Sequence, residues 1–269
     1  MSPRSSDTTT ESLPNPLPDY VSKNRELWDA DAENWVASGE RAWRGEPCWG
    51  IWHLPETELR LLPEDMRGMR AIELGCGTGY VSSWMIRRGA KVTGVDNSER
   101  QLATARRFAQ EHGVELELLH GNAERLPYAD ASFDFAISEY GAAIWADPFE
   151  WIPEACRLLV AGGELVFLGN HPLVALAQDL QSDAPVGRQL INPYFGMRRM
   201  DWTEPNGSAG TEFNLPISEW LGLFDRTGFD VVAYHELRAP KPGPEVRFFV
   251  TADWARDYPS EQVWHLRKR

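Results

Sequence analysis

Five short apolar runs punctuate the middle of the chain: Arg70–Leu74, Lys91–Asp96, Glu115–His120, Phe133–Ser138 and Glu164–Leu168. Each is too short for a stable helix and reads as a strand; the last is almost wholly apolar, as a central strand covered on both faces requires. The segments between them read as helices. Tyr80–Arg88 is stopped by Gly89, and Ser98 and Gln101 have capping-box spacing at the head of a helix that Gly113 ends. Asp147-Pro148-Phe149-Glu150 starts another, in which Pro153 must kink the helix or reset its first turn. Regular alternation of the two periods predicts an α/β fold with a doubly wound, mainly parallel sheet.

The flanks are patterned differently. From Asp19 to about Ser38, Trp28, Ala32, Trp35 and Val36 form an i, i+4, i+7, i+8 stripe, which predicts an amphipathic helix placed as a lid. Trp28 and Trp35 are expected in a small aromatic core that packs this helix onto the domain. Trp49 and Trp52 fall among Pro and Gly breakers, so the reading puts them on a loop. After the fifth strand, residues 171–217 are rich in Pro, Gly and aromatics without clear periodicity, as expected of a substrate-covering insert. Ser218 is read as the cap of a last helix with Trp220, Leu223 and Phe224 on one face, ended by Gly228. Two strand-like runs follow, Phe229–His235 and Val246–Thr251.

Length and composition narrow the class. The 269 residues fit one large domain with a terminal extension or two small ones, and the even spacing of strands favours one. A 42% hydrophobic fraction and 12 tryptophans are ample for a core, whereas no apolar run is long enough to cross a bilayer. Residues 1–19 are mostly Ser, Thr, Pro and acids, which predicts a disordered tail and, with no apolar signal core, a cytoplasmic protein. The resulting division is 1–19 tail, 20–62 helical lid and 63–269 main domain. Three scattered cysteines and six histidines show no metal-ligand spacing, so no metal is expected. A net charge of −13 opposes binding to nucleic acid, because that affinity rests on Lys and Arg neutralising phosphates.

The chemistry concentrates in Ala71-Ile72-Glu73-Leu74-Gly75-Cys76-Gly77-Thr78-Gly79, a strand that runs into a glycine-rich turn and then a helix. Glycine there permits positive φ and lets backbone approach a ligand closely. A dinucleotide fingerprint needs its third glycine at position 80, which is Tyr80, so an NAD(P)-dependent oxidoreductase is disfavoured. Glu73 would repel a pyrophosphate but suits a ligand with a cationic ammonium group.

This stretch resembles motif I of the class I S-adenosylmethionine (SAM) dependent methyltransferases. Downstream, Gly121-Asn122-Ala123-Glu124-Arg125-Leu126-Pro127 through Phe133-Asp134 resembles the signature of a small-molecule branch related to quinone-biosynthesis methyltransferases, with Asn122 in place of the usual Asp. The resemblance implies a Rossmann-like sheet of seven strands with the last antiparallel, Phe229–His235 and Val246–Thr251 forming its closing hairpin. It implies that SAM is held by Glu73, Gly75, Cys76, Gly77 and Gly79 in the first turn. Beyond the second strand it implies Asp96, on the ribose hydroxyls, with Asn97 and Gln101. Asn122 and Ala123 would border the adenine, followed by Glu124 and, past the fourth strand, Glu139.

The implied reaction is methyl transfer to a small, apolar or aromatic metabolite. A base is needed only where the acceptor is protonated, and the candidates are His171, Glu139, Tyr140 and His53. Trp49, Trp52, His53, Tyr140, His171 and Tyr194 are the expected substrate contacts. A SAM-binding protein of the same fold without catalysis is the alternative.

Overall fold

The computed structural model describes residues 17–182, 184–203, 206–241 and 244–269. The expected tail therefore lies outside the described residues except at its last three positions. The N-terminal helix is broken in two. Helix α1 (Asp19–Asp31) leads through a 3₁₀ turn at Ala32–Trp35 into α2 (Val36–Arg44). The Asp31 carboxylate accepts hydrogen bonds from Asn34 Nδ2 and Trp35 Nε1, each 2.6 Å, and this side-chain competition tightens the turn.

A small antiparallel pair, β1 (Cys48–Trp49) and β2 (Leu54–Pro55), and a short helix α3 (Glu56–Leu59) precede the main sheet. There β3 (Arg70–Leu74), α4 (Tyr80–Arg87), β4 (Lys91–Asp96), α5 (Glu99–His112), β5 (Glu117–His120) and β6 (Phe133–Glu139) follow the expected alternation. Next come α6 (Ala142–Trp145), α7 (Pro148–Leu158) and β7 (Leu159–Asn170). Ser98 caps α5 by accepting from Gln101 N at 3.1 Å, and Asp147 caps α7 by accepting from Phe149 N. Along β7 successive residues serve opposite faces: Leu165 and Phe167 enter the core under α7, Val166 and Leu168 the core under α4.

The insert is ordered, as its apolar content predicts. It contains α8 (Pro172–Ala177) and an antiparallel hairpin, β8 (Arg199–Thr203) with β9 (Ala209–Phe213). The hairpin docks on α1, where Asn24 Nδ2 donates to Thr211 O at 2.9 Å and Asn24 Oδ1 accepts from Thr211 N at 2.9 Å. Lid and insert thus make one continuous cover.

Two expectations fail at the carboxyl end. Helix α9 (Ile217–Thr227) begins after Pro216, whose fixed φ suits that place, and no side chain caps it, so Ser218 lies inside the first turn. After β10 (Phe229–Leu237), the run Val246–Thr251 forms only β11 (Val246–Arg247) and β12 (Val250–Thr251), a hairpin apart from the main sheet. A short helix, α10 (Ala252–Asp257), then leads to the true closing strand, β13 (Glu261–Lys268). The order is β10-β13-β7-β6-β3-β4-β5, with β13 antiparallel to both its neighbours and the other pairs parallel. This is the Rossmann-like, seven-stranded architecture that the sequence implies.

Candidate active site

A cleft opens at the carboxyl ends of β3, β4 and β6, where the strand order reverses and open α/β sheets bind ligands. Its floor is the turn after β3. Gly75 has φ +82°, and a Cβ there would lie 2.4 Å from Gly141 Cα. Gly77, at φ +50°, is different: a Cβ would meet only Gln101 Oε1, at 4.0 Å, so this backbone faces open space.

Carboxylates surround that floor. Asp96, at the tip of β4, accepts from Gly77 N at 2.7 Å and Ser98 N at 2.8 Å; burial raises its proton affinity and the two amides oppose the rise. Glu73 accepts from Ser82 N at 2.7 Å and from the Ser82 hydroxyl, which ties it to the first turn of α4. Burial nevertheless pushes its pKa up to about 8. Asn122 and Ala123 form one wall, and Gln101 Oε1 is buried with no hydrogen-bond partner among the described atoms.

At the other end stand Glu139 and Tyr140. Glu139 accepts from the Tyr80 hydroxyl and from Gly50 N at 2.9 Å, and burial raises its pKa. Tyr140 sits at φ +52° and donates its hydroxyl proton to Glu261 Oε1 at 2.9 Å. Glu261 is 0% exposed; its Oε1 also accepts from Ile51 N, while Oε2 has no partner. Burial pushes its pKa up to about 8. The roof is aromatic: Trp28 meets Trp35 with ring centroids 5.6 Å apart and Trp145 edge-on at 5.1 Å.

Residues 72–167 match the family profile described as a methyltransferase domain. The chain is 35% identical to the ubiquinone biosynthesis O-methyltransferase of Dinoroseobacter shibae over 61% of its own length and 71% of that protein. The chain belongs to the SAM-dependent methyltransferase family. It is also 36% identical to the like-named enzyme of Ruegeria pomeroyi, over 59% of this chain and 69% of that one. A SAM-dependent methyltransferase structure from Mesorhizobium loti superposes with a TM-score of 0.63 at 24% identity, covering 81% of this chain and all of that one.

SAM is therefore the cofactor of this methyltransferase, and the cleft fits it on three counts. The open backbone at Gly77 can receive a ligand, Asp96 can accept from hydroxyls, and the orphaned Gln101 Oε1 awaits a donor.

Several expected site residues are used elsewhere. Asn97 lines the cleft, but its side chain fastens α1, donating to Val21 O and accepting from Arg25. Glu124 lies off the cleft wall, where it accepts from the Tyr20 hydroxyl and Asp147 N and so clasps the same helix. His171 caps α8, accepting from Leu173 N through Nδ1, while Nε2 meets Glu236 at 3.2 Å; burial lowers its pKa. Tyr194 accepts from Ile217 N at the start of α9, and exposed His53 pairs loosely with Arg247. Trp49 and Trp52 are both fully packed, with Nε1 groups bonded to Glu56 and Ser260. None of these last five lines the cleft.

Half-buried Trp28 and Trp35 form the expected small aromatic cluster, closed by Trp145, and also line the cleft, whereas the breaker-rich loop carries core residues. Trp145 was legible only as the fourth residue of a helical turn just past a strand tip, and Glu261 had no local signal at all.

Glu261 yields a pH prediction. Its folded pKa lies above the unfolded value, so the folded state binds the extra proton and stability is lost as pH rises from about 4.5 through about 8. Melting curves should show Glu261→Gln gaining on the wild type between pH 5.5 and 9; a gap that stays constant would contradict this.

Proposed function

We propose that this methyltransferase transfers the methyl group of SAM to a small, ring-containing metabolite held beneath Trp28, Trp35 and Trp145. The observation that carries the reading is one cleft running from Asp96 and Gln101 to this aromatic corner. Bound SAM would supply a methyl group already activated on a sulfonium.

The chain's residues bind and orient. Asp96, its carboxylate steadied by the Gly77 and Ser98 amides, would take the ribose hydroxyls. Asn122 and Ala123 would border the adenine. Asn122 Oδ1 already accepts from Glu124 N at 3.2 Å and has a second lone pair for an amino group. The Gly75–Gly79 turn would take the methionine end. The cover of α1 and the β8–β9 hairpin excludes water and fixes the acceptor in line, which is the larger part of catalysis for an activated donor.

A ring acceptor agrees with half-buried indole faces, which stack on planar ligands. It agrees also with relatives named for quinone biosynthesis. The charge of −13 and the acids on the cleft wall set the site against nucleic acid as substrate.

The test is methyl transfer from labelled SAM to panels of phenols, amines, indoles and quinones. Turnover with at least one class is expected. Micromolar SAM binding with no transfer to any class would overturn the proposal.

A further inference from the structure

The charges around the cleft are one-sided. Glu73, Asp96 and Glu139 line it, and no Lys, Arg or His does so among the described residues. Glu261 stands directly behind Tyr140 with Oε2 unpartnered and no exposure. No basic group is among the neighbours that set the proton affinities of Glu73, Glu139 or Glu261. Burying carboxylates without a counter-charge costs several kcal/mol each, so such a group is retained where a cation completes it or where it takes up a proton. Glu73 and Asp96 belong to the cofactor end. Glu139 is left on the cleft lining, with Glu261 outside the lining, behind Tyr140.

The same cleft also has the walls a cation prefers. The Trp28 and Trp145 rings stand 87° apart and Trp35 closes a third side, so three indole faces and edges meet at one corner. Indole is the aromatic surface with the strongest attraction for a cation. A carboxylate or phosphate on the acceptor would meet only acids here. Trp28, Trp35 and Glu261 lie outside residues 72–167, the stretch that matches the family profile, and the oxygen acceptor in the relatives' names is said of those proteins.

We infer that the acceptor is an amine, bound as its ammonium ion at the corner of Trp28, Trp35 and Trp145 in the cleft that Glu139 and Tyr140 also line. The inference rests on the methyltransferase reading and narrows it. Before transfer an N–H bond breaks and Glu139 takes the proton. The freed nitrogen pair then forms the N–C bond as the C–S bond breaks and its electrons pass to sulfur. Positive charge moves from sulfur to nitrogen, where the indole faces stabilise it.

The test uses the full chain saturated with S-adenosylhomocysteine and calorimetry with probes on one skeleton: 2-phenylethylamine, its trimethylammonium analogue, 2-phenylethanol, 3-phenylpropanoate and catechol. The two cations should bind at least ten-fold more tightly than the alcohol and catechol, and the propanoate should not bind. Trp28→Leu should erase that preference and Trp28→Phe retain most of it, both with unchanged S-adenosylhomocysteine affinity, a pattern that misfolding would not produce. Catechol or alcohol binding as tightly as the amine overturns the inference while leaving methyl transfer standing, as does failure of all five probes to bind. Failure to bind S-adenosylhomocysteine overturns both.

Discussion

Asp96→Ala is expected to raise the dissociation constant for SAM by roughly 5- to 150-fold, the equivalent of about 1–3 kcal/mol for hydrogen bonds stripped of a charged acceptor. The size follows from the position. Asp96 ends β4 at the switch point and is gripped from both sides by the Gly77 and Ser98 amides, so its carboxylate is aimed before any ligand arrives. The variant loses the acceptor and leaves those two amides unmatched, so part of the cost falls on the turn itself. Asp96→Asn keeps one carbonyl oxygen and should fall between the two. Calorimetry with SAM measures the effect, and thermal melting of the ligand-free variants separates turn loosening from lost contact. An unchanged dissociation constant would remove Asp96 from the site.

The geometry around Gly75 and Asp96 was legible because its signals are local. A glycine at positive φ, an acid at a strand tip and a capping serine each act within a few residues of themselves, and Gly75, Asp96 and Ser98 stand where their neighbours in sequence placed them. The acceptor half is built from distant segments. Whether Trp28 or Trp49 faces the ligand depends on which of them α4 and the sheet bury, and no spacing within either segment encodes that. The closing strand was hidden for a related reason. β13 opens with Glu261 and Gln262, a polar pair that reads as a loop until Tyr140 and the carbonyl of Asn170 are brought against it from β6 and β7. Glu124 and His171 show the opposite error. Glu124 holds Tyr20 across 104 residues, a bond visible only once α1 is in place, whereas His171 caps the helix that follows it, a local role its place just before Pro172 already allows.

Trp49→Ala is expected to destabilise the fold by about 3–5 kcal/mol, the usual cost of deleting a fully packed aromatic side chain. For a domain of this size that lowers the melting temperature by roughly 6–20 °C. Trp49 has no exposed surface, meets Trp84 of α4 edge-on at 5.3 Å, and donates its Nε1 proton to Glu56 Oε2 at 2.6 Å. Glu56 in turn accepts from Leu61 N and Leu62 N and pairs with Arg88 at 3.0 Å. The substitution therefore opens a cavity against α4 and takes one donor from a buried carboxylate at the same time. Because none of these groups lines the cleft, SAM affinity in the fraction that remains folded should match the wild type. A substrate-facing Trp49 would give the reverse: a modest change in melting temperature with a large loss of acceptor binding, the pattern expected instead of half-buried Trp28. Melting curves and calorimetry on the two alanine variants side by side decide which tryptophan serves the core and which the ligand.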